Sequence, residues 1–257
     1  MIINIKMYLL LIILFFANLN MTSCNLITLN KTNHIVIQGP ITGISSNKFI
    51  IDTSNFNGTE LFIYINSPGG SVIEGLMIIE QIKTLQEENI TIYCIADYTA
   101  SMAFVILQFC SHRYAIQSSI IMQHQMSLKL DGNLFELNSY LKMIKDINIR
   151  IDMIQSKRIN ISYVDFVNKV SVDWWISGIS AVEENIVDKI IMIKCHKDLY
   201  NLNYTINYIT RFGEIELIYS YCPLIRRPLK IISSFGINDE IMGIINFKNH
   251  PIDQYSH

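Results

Sequence analysis

The chain has 257 residues, half of them apolar, and its 20 Lys and Arg nearly balance 22 Asp and Glu, leaving a formal net charge of −2. Such a chain can bury a sizeable core, as one large domain or as a domain with a tail. With no block of Lys or Arg, its composition argues against nucleic acid as the main partner.

Residues 1–24 stand apart: Lys6 precedes an apolar run from Met7 to Ala17, and polar residues begin at Asn18. This is the layout of a secretory signal peptide, too short for a comfortable membrane span, with an uncleaved signal anchor as the alternative. A leader of this kind points to the secretory pathway or an organelle reached through it; a cytoplasmic location is the alternative. From Asn25 to Gly58 the pattern predicts a short strand, Ile35 to Gln38, a turn at Gly39-Pro40 and otherwise polar connections.

Leu61 to Ile65 is a strand candidate that breaks into Asn66-Ser67-Pro68-Gly69-Gly70-Ser71. Pro68 fixes φ, and the glycine pair tolerates backbone angles that other residues resist. From Val72 the period changes: Val72, Leu76, Ile79 and Ile82 recur at helical steps. The glycines therefore lie at a helix N-terminus, where free N–H groups and the positive end of the helix dipole gather, as an oxyanion requires. An ordinary tight turn has the same signature. A second strand, Ile90 to Ala96, runs into Thr99-Ala100-Ser101-Met102-Ala103 and an apolar helix through Phe109. Ser101 is thus presented at a strand-to-helix turn between small residues, the logic of a nucleophile elbow; the alternative is a helix N-cap.

A polar break at Ser111-His112-Arg113 precedes a strand from Ser119 to Gln123 that ends at His124. Taken alone, His124 reads as a buried histidine satisfied by a carbonyl. Leu137, Leu141, Ile144, Ile147, Ile151 and Ile154 then recur at steps of three or four, predicting a long amphipathic helix from Leu134 to Ile154 with nothing between them that looks catalytic. Ser162 begins a second short helix with Asp165 as its capping partner. Asp173 follows, beside Trp174 and Trp175, which either shield it from water or fill the core. A helix near Gly178 to Glu184 ends at Asn185, the next best residue after glycine for a left-handed cap, and a strand runs from Lys189 to Ile193.

Beyond Lys194, β-like runs at Ile215 to Tyr221 and Leu229 to Ser233 are punctuated by Pro223, Pro228 and Gly236. The segment is too apolar for a disordered tail and carries no readable motif. Cys94 lies in an apolar strand and reads as a small core residue. Cys94, Cys110, Cys195 and Cys222 are enough for two disulfides in an oxidising lumen, but the sequence does not pair them.

The run Ile65-Asn66-Ser67-Pro68-Gly69-Gly70-Ser71-Val72, followed by Ala100-Ser101-Met102 and Met122-Gln123-His124-Gln125, resembles the proteolytic subunit of the Clp protease and, more broadly, the Clp/crotonase superfamily. The likeness covers about residues 35–193, with three separate motifs in the expected order. It implies an α/β fold, a spiral of repeated β-β-α units with a long handle helix, spanning 25–194 and followed here by an additional segment, 195–257. It implies a serine endopeptidase in which Ser101 is the nucleophile, His124 the base and Asp173 the third member of the triad. The main-chain N–H groups of Gly70 and Met102 would bind the oxyanion, and hydrolysis would need no cofactor. The partners implied are a peptide or unfolded protein as substrate, copies of the same chain in a ring, and an ATP-driven AAA+ unfoldase.

The chain departs from the family pattern in places. It has no counterpart of the N-terminal axial loop, and Val172 stands where many members carry a basic residue used between rings. The glycine-rich segment before the handle survives only as Lys129-Leu130-Asp131-Gly132. Three other readings share the fold: a catalytically silent ring subunit, a crotonase-type acyl-CoA enzyme, and a membrane-bound signal-peptide peptidase using a serine-lysine pair.

Overall fold

The computed structural model describes residues 25–210 and 213–234. Residues 1–24, on which the leader expectation falls, Gly236 and the far C-terminal residues lie outside them. Seven strands form the principal sheet: β1 (Leu26–Leu29), β2 (His34–Gln38), β3 (Glu60–Ser67), β4 (Thr91–Ala100), β5 (His112–Gln123), β6 (Trp174–Ser177) and β7 (Lys189–Cys195). Their order is β1-β7-β5-β4-β3-β2, parallel throughout, with β6 antiparallel to the outer half of β5. The expected α/β class is observed. The central strands β3 and β4 are near-continuous apolar runs because both faces of a parallel sheet are covered.

Among the described residues, seven helices connect or flank these strands: α1 (Gly43–Ser54), α2 (Val72–Glu87), α3 (Met102–Phe109), α4 (Leu134–Arg158), α5 (Tyr163–Lys169), α6 (Gly178–Glu183) and α7 (Lys197–Tyr200). Residues of α2, α3, α5 and α6 pack with the sheet into the main core, which includes Ile78, Ile82, Phe104, Ile106, Phe166 and Ala181. On the opposite face Tyr64, Ile95, Tyr114 and Ile191 are closed over by Leu199 and Cys222. That cover belongs to the C-terminal segment. The segment adds a separate antiparallel sheet, β8 (Asn203–Thr210), β9 (Gly213–Ser220) and β10 (Lys230–Ser233), in the order β10-β9-β8.

Three sequence expectations need correction. Residues 25–58 hold more than one strand: β1 pairs with β7, and α1 occupies what reads as a polar connection. The helix is hidden because its pattern is inverted, with Ser46, Phe49 and Thr53 buried while Ile44 and Ile51 face solvent. The break at Ser111-His112-Arg113 is instead the start of β5. Arg113 belongs there because its buried guanidinium donates to Asp188 through Nε (3.2 Å) and Nη2 (2.6 Å) and to Gln108 Oε1 (2.8 Å). Burial would raise the Asp188 carboxyl, but these bonds and the Arg113 charge hold it below the usual carboxylate range. Cys94 is buried as expected but is bonded to Cys110, and Cys195 pairs with Cys222.

Candidate active site

Four non-glycine residues among those described have positive φ. Three are asparagines just past helix C-termini, Asn89, Asn160 and Asn185, the last as its sequence position suggests. The fourth is Ser101, at φ 56 and ψ −122, a conformation that costs an L-residue roughly 1–3 kcal/mol. Ser101 N–H donates to Met122 O on the neighbouring strand (2.9 Å), and Val105 N–H donates to Ser101 O (3.2 Å). The turn is therefore clamped from both sides.

Six helices follow a Ser, Thr or Asn. Thr42, Ser71, Asn133, Ser162 and Ser177 each accept an amide hydrogen of the first turn on their side-chain oxygen. Ser101 makes no such cap. Its Oγ instead lies 2.9 Å from His124 Nε2. A helix-capping serine and a carbonyl-satisfied histidine, the two ordinary readings of these residues, are therefore both replaced by one contact between them.

The glycine pair packs against this turn. A Cβ on Gly69, at φ +87, would sit 2.7 Å from Ser101 Cβ and 2.6 Å from Ala100 O, so only glycine lets the loop approach the serine. Gly70, at φ +151, is pinned by an isolated bridge to Ile41, in which Ile41 N–H donates to Gly69 O (2.9 Å) and Ser71 N–H donates to Ile41 O (3.0 Å). Met102 is the first residue of α3, whose N–H has no partner within the helix. Gly70, Met102, Ser101 and His124 all line one cleft, together with Val72, Val105 and Ile151.

Asp173 is placed by sheet register. Gln123 pairs with Trp174 across β5 and β6, so His124 and Asp173 are the next residues along the chain just beyond the last paired positions of the two strands. Asp173 is exposed, and among the described residues no hydrogen bond joins it to His124. Trp174 packs on core Phe104, ring centroids 6.3 Å apart, beneath Lys169 Nζ, while Trp175 is exposed; neither is wholly core nor wholly shield.

The helix α4 contributes what the sequence did not announce. Gln123 Oε1 accepts from His124 N–H (3.2 Å), and Gln123 Nε2 donates to the fully buried Gln155 Oε1 (2.5 Å). Gln155 Nε2 reaches Asp152 Oδ1 (3.4 Å), and Asn148 Nδ2 donates to Asp152 Oδ2 (2.7 Å). This amide chain ties the strand that carries His124 to the helix, and Asn148, Asp152 and Gln155 are among the polar residues lining the cleft. The only available sequence signal was polar residues at 148, 152 and 155, beside the apolar stripe.

A serine hydroxyl held by an imidazole, in a cleft where parallel strands give way to a helix N-terminus, defines a hydrolase-type site. The family is settled by comparison: the Clp protease family profile matches residues 21–194. A curated relative, the ATP-dependent Clp protease proteolytic subunit 2 of Tropheryma whipplei (strain Twist), is 26% identical over 133 residues, covering 51% of this chain and 73% of the relative. The chain belongs to the Clp protease family, and its activity class is that of a peptidase.

Proposed function

We propose that this chain is a serine-type endopeptidase. The observation that carries the reading is the 2.9 Å contact between Ser101 Oγ and His124 Nε2, made by a serine held at positive φ. In the proposed reaction Ser101 Oγ attacks the peptide carbonyl carbon while His124 Nε2 takes its proton. The Gly70 and Met102 N–H groups stabilise the oxyanion, and His124 then gives the proton to the leaving amine nitrogen. Water, deprotonated by the same imidazole, cleaves the acyl-enzyme and frees Ser101. Asp173, like His124 just beyond the last paired positions of β5 and β6, orients the ring and stabilises the imidazolium once its carboxylate swings onto Nδ1. Nothing in these steps consumes a cofactor.

Assembly into a homo-oligomeric ring is part of the proposal. Leu134, Phe135, Tyr140, Met143, Ile149, Met153 and Ile154 of α4 are exposed, Phe135 at 86%, whereas Ile144 and Ile151 are buried in this chain's own core. Exposed apolar side chains along a helix favour a partner surface. Two disulfides and the leader together favour an oxidising compartment on the secretory route. Cleavage of folded proteins would require a separate ATP-driven unfoldase; the Tropheryma relative is named as the proteolytic subunit of an ATP-dependent protease.

The test is hydrolysis of an internally quenched unstructured peptide by the mature chain and by Ser101→Ala, His124→Ala and Asp173→Asn. Turnover should fall at least about 10³-fold in the first two and about 10²- to 10⁴-fold in the third. Undiminished turnover in Ser101→Ala would end the serine-peptidase reading. Acyl-CoA hydrolysis without peptide cleavage would favour the crotonase alternative.

A further inference from the structure

Asp152 is the charged residue in the cleft that the proposed reaction does not use. It is 9% exposed, yet it meets only neutral amides, Asn148 and Gln155, which occupy two of the roughly four acceptor positions of a carboxylate. The more deeply buried Asp97, 1% exposed, has the guanidinium of Arg226 at 2.5 Å. Among the described residues no cation pairs with Asp152. A carboxylate removed from water without a cation is costly, and the cost falls when a cation arrives.

The cleft is the route by which one can arrive. Val72 from α2, Met102 and Val105 from α3 and Ile151 from α4 line it with apolar groups, and α4 adds the polar Asn148, Asp152 and Gln155. The titratable group facing it from another element is His124, at the end of β5; α2 and α3 bring no charge into the cleft. Met102 and Val105, one turn apart on the helix that follows the nucleophile, line this pocket together with Ser101 itself. The leaving amine has to lie over His124.

We infer that Asp152 determines specificity: the cleft receives the side chain of the residue whose carbonyl Ser101 attacks, and selects one with an apolar stem and a cationic head, lysine or arginine. This rests on the serine-peptidase reading above. The stem lies along Val72, Met102, Val105 and Ile151, and the head completes the carboxylate's acceptor set. Burial pushes the Asp152 carboxyl up to about 6. The selection is therefore present at pH 8 and fades by pH 5, where the group is mostly protonated and neutral.

The test measures labelling rates of Ser101 in the full mature chain by three probes: diphenyl phosphonates carrying a lysine or a leucine side chain, and a fluorophosphonate with no side chain. The lysine probe should react at least tenfold faster than the leucine probe at pH 8. That ratio should drop at least tenfold in Asp152→Asn and also in the wild-type chain taken to pH 5, a comparison that needs no variant to fold. Because His124 serves both probes alike, any change in its reactivity cancels in the ratio. A ratio below one, or one that neither Asp152→Asn nor pH moves, overturns the inference while fluorophosphonate labelling upholds the serine hydrolase. Failure of all three probes to label Ser101 would overturn the peptidase reading and the inference with it.

Discussion

The two faces of the principal sheet are held by different means. At the Ser101 edge, backbone and side-chain amides do the work: a strained turn clamped by β5, a glycine loop in contact with it, and a chain of glutamine side chains running from His124 to Asp152. On the other face the C-terminal segment is attached by long-range tethers. Cys195–Cys222 bonds it to β7, Arg226 Nη2 donates to Asp97 Oδ1, and His34 Nε2 lies 3.3 Å from Tyr221 O. The Tyr64 hydroxyl donates to the other oxygen of Asp97 (2.7 Å), and burial with the Asp97 charge raises that phenol far above its ordinary range. The first region positions atoms for chemistry. The second covers apolar surface, and the two should respond to different perturbations.

The largest separation is expected from Ser101→Ala, which should abolish at least about 10³-fold of peptide turnover while leaving the thermal midpoint within about a degree or two. Removing the tether, as Cys195→Ala with Cys222→Ala, opens a loop of 27 residues and should cost about 3 kcal/mol in denaturant unfolding. Limited proteolysis should then cut within 195–234 before the domain, and turnover per folded molecule should stay within about twofold of wild type.

Asp152 gives a smaller effect with a definite sign. Its carboxyl titrates at 3.8 when free in water and at about 6 in the fold. Between those values the folded chain holds a proton that the unfolded chain has released, so stability falls as pH rises through the window and stays lower above it. A rise of that size corresponds to roughly 2–3 kcal/mol. Asp152→Asn should therefore be more stable than wild type by about that amount at pH 8 and level with it below about pH 4. Smallest is Arg226→Ala: it takes the cation away from the Asp97 carboxylate, which keeps the Tyr64 hydroxyl, and the arginine is itself partly exposed, so the loss should be about 1–2 kcal/mol. A cost above that of the disulfide would mean the ion pair, not the covalent bond, holds the second face.

The same division decides what the sequence revealed. The strand-to-helix turns at Gly69-Gly70 and Ser101 are local, so the change of period from two to 3.6 and the small residues marked them. The long helix was legible from its stripe, and Asn185 from its place after a helix. The helix α1 was not, because the residues it buries are Ser46, Phe49 and Thr53 and its isoleucines 44 and 51 point outward. Asp152 was invisible for a related reason: a carboxylate one step from the apolar stripe reads as a solvated position until α4 is laid over β5. The tethers join residues such as Asp97 and Arg226, 129 positions apart, and no local pattern encodes such a pair.

The pairing of Ser101 with His124 is tested most directly by exposing the mature chain and its His124→Ala variant to a fluorophosphonate and mapping the adduct by peptide mass spectrometry. A nucleophile activated by that imidazole predicts one stoichiometric adduct on Ser101 in the wild-type chain and at least about a hundredfold slower labelling in the variant. An adduct on another residue, or labelling of Ser101 at the same rate without the imidazole, would contradict it.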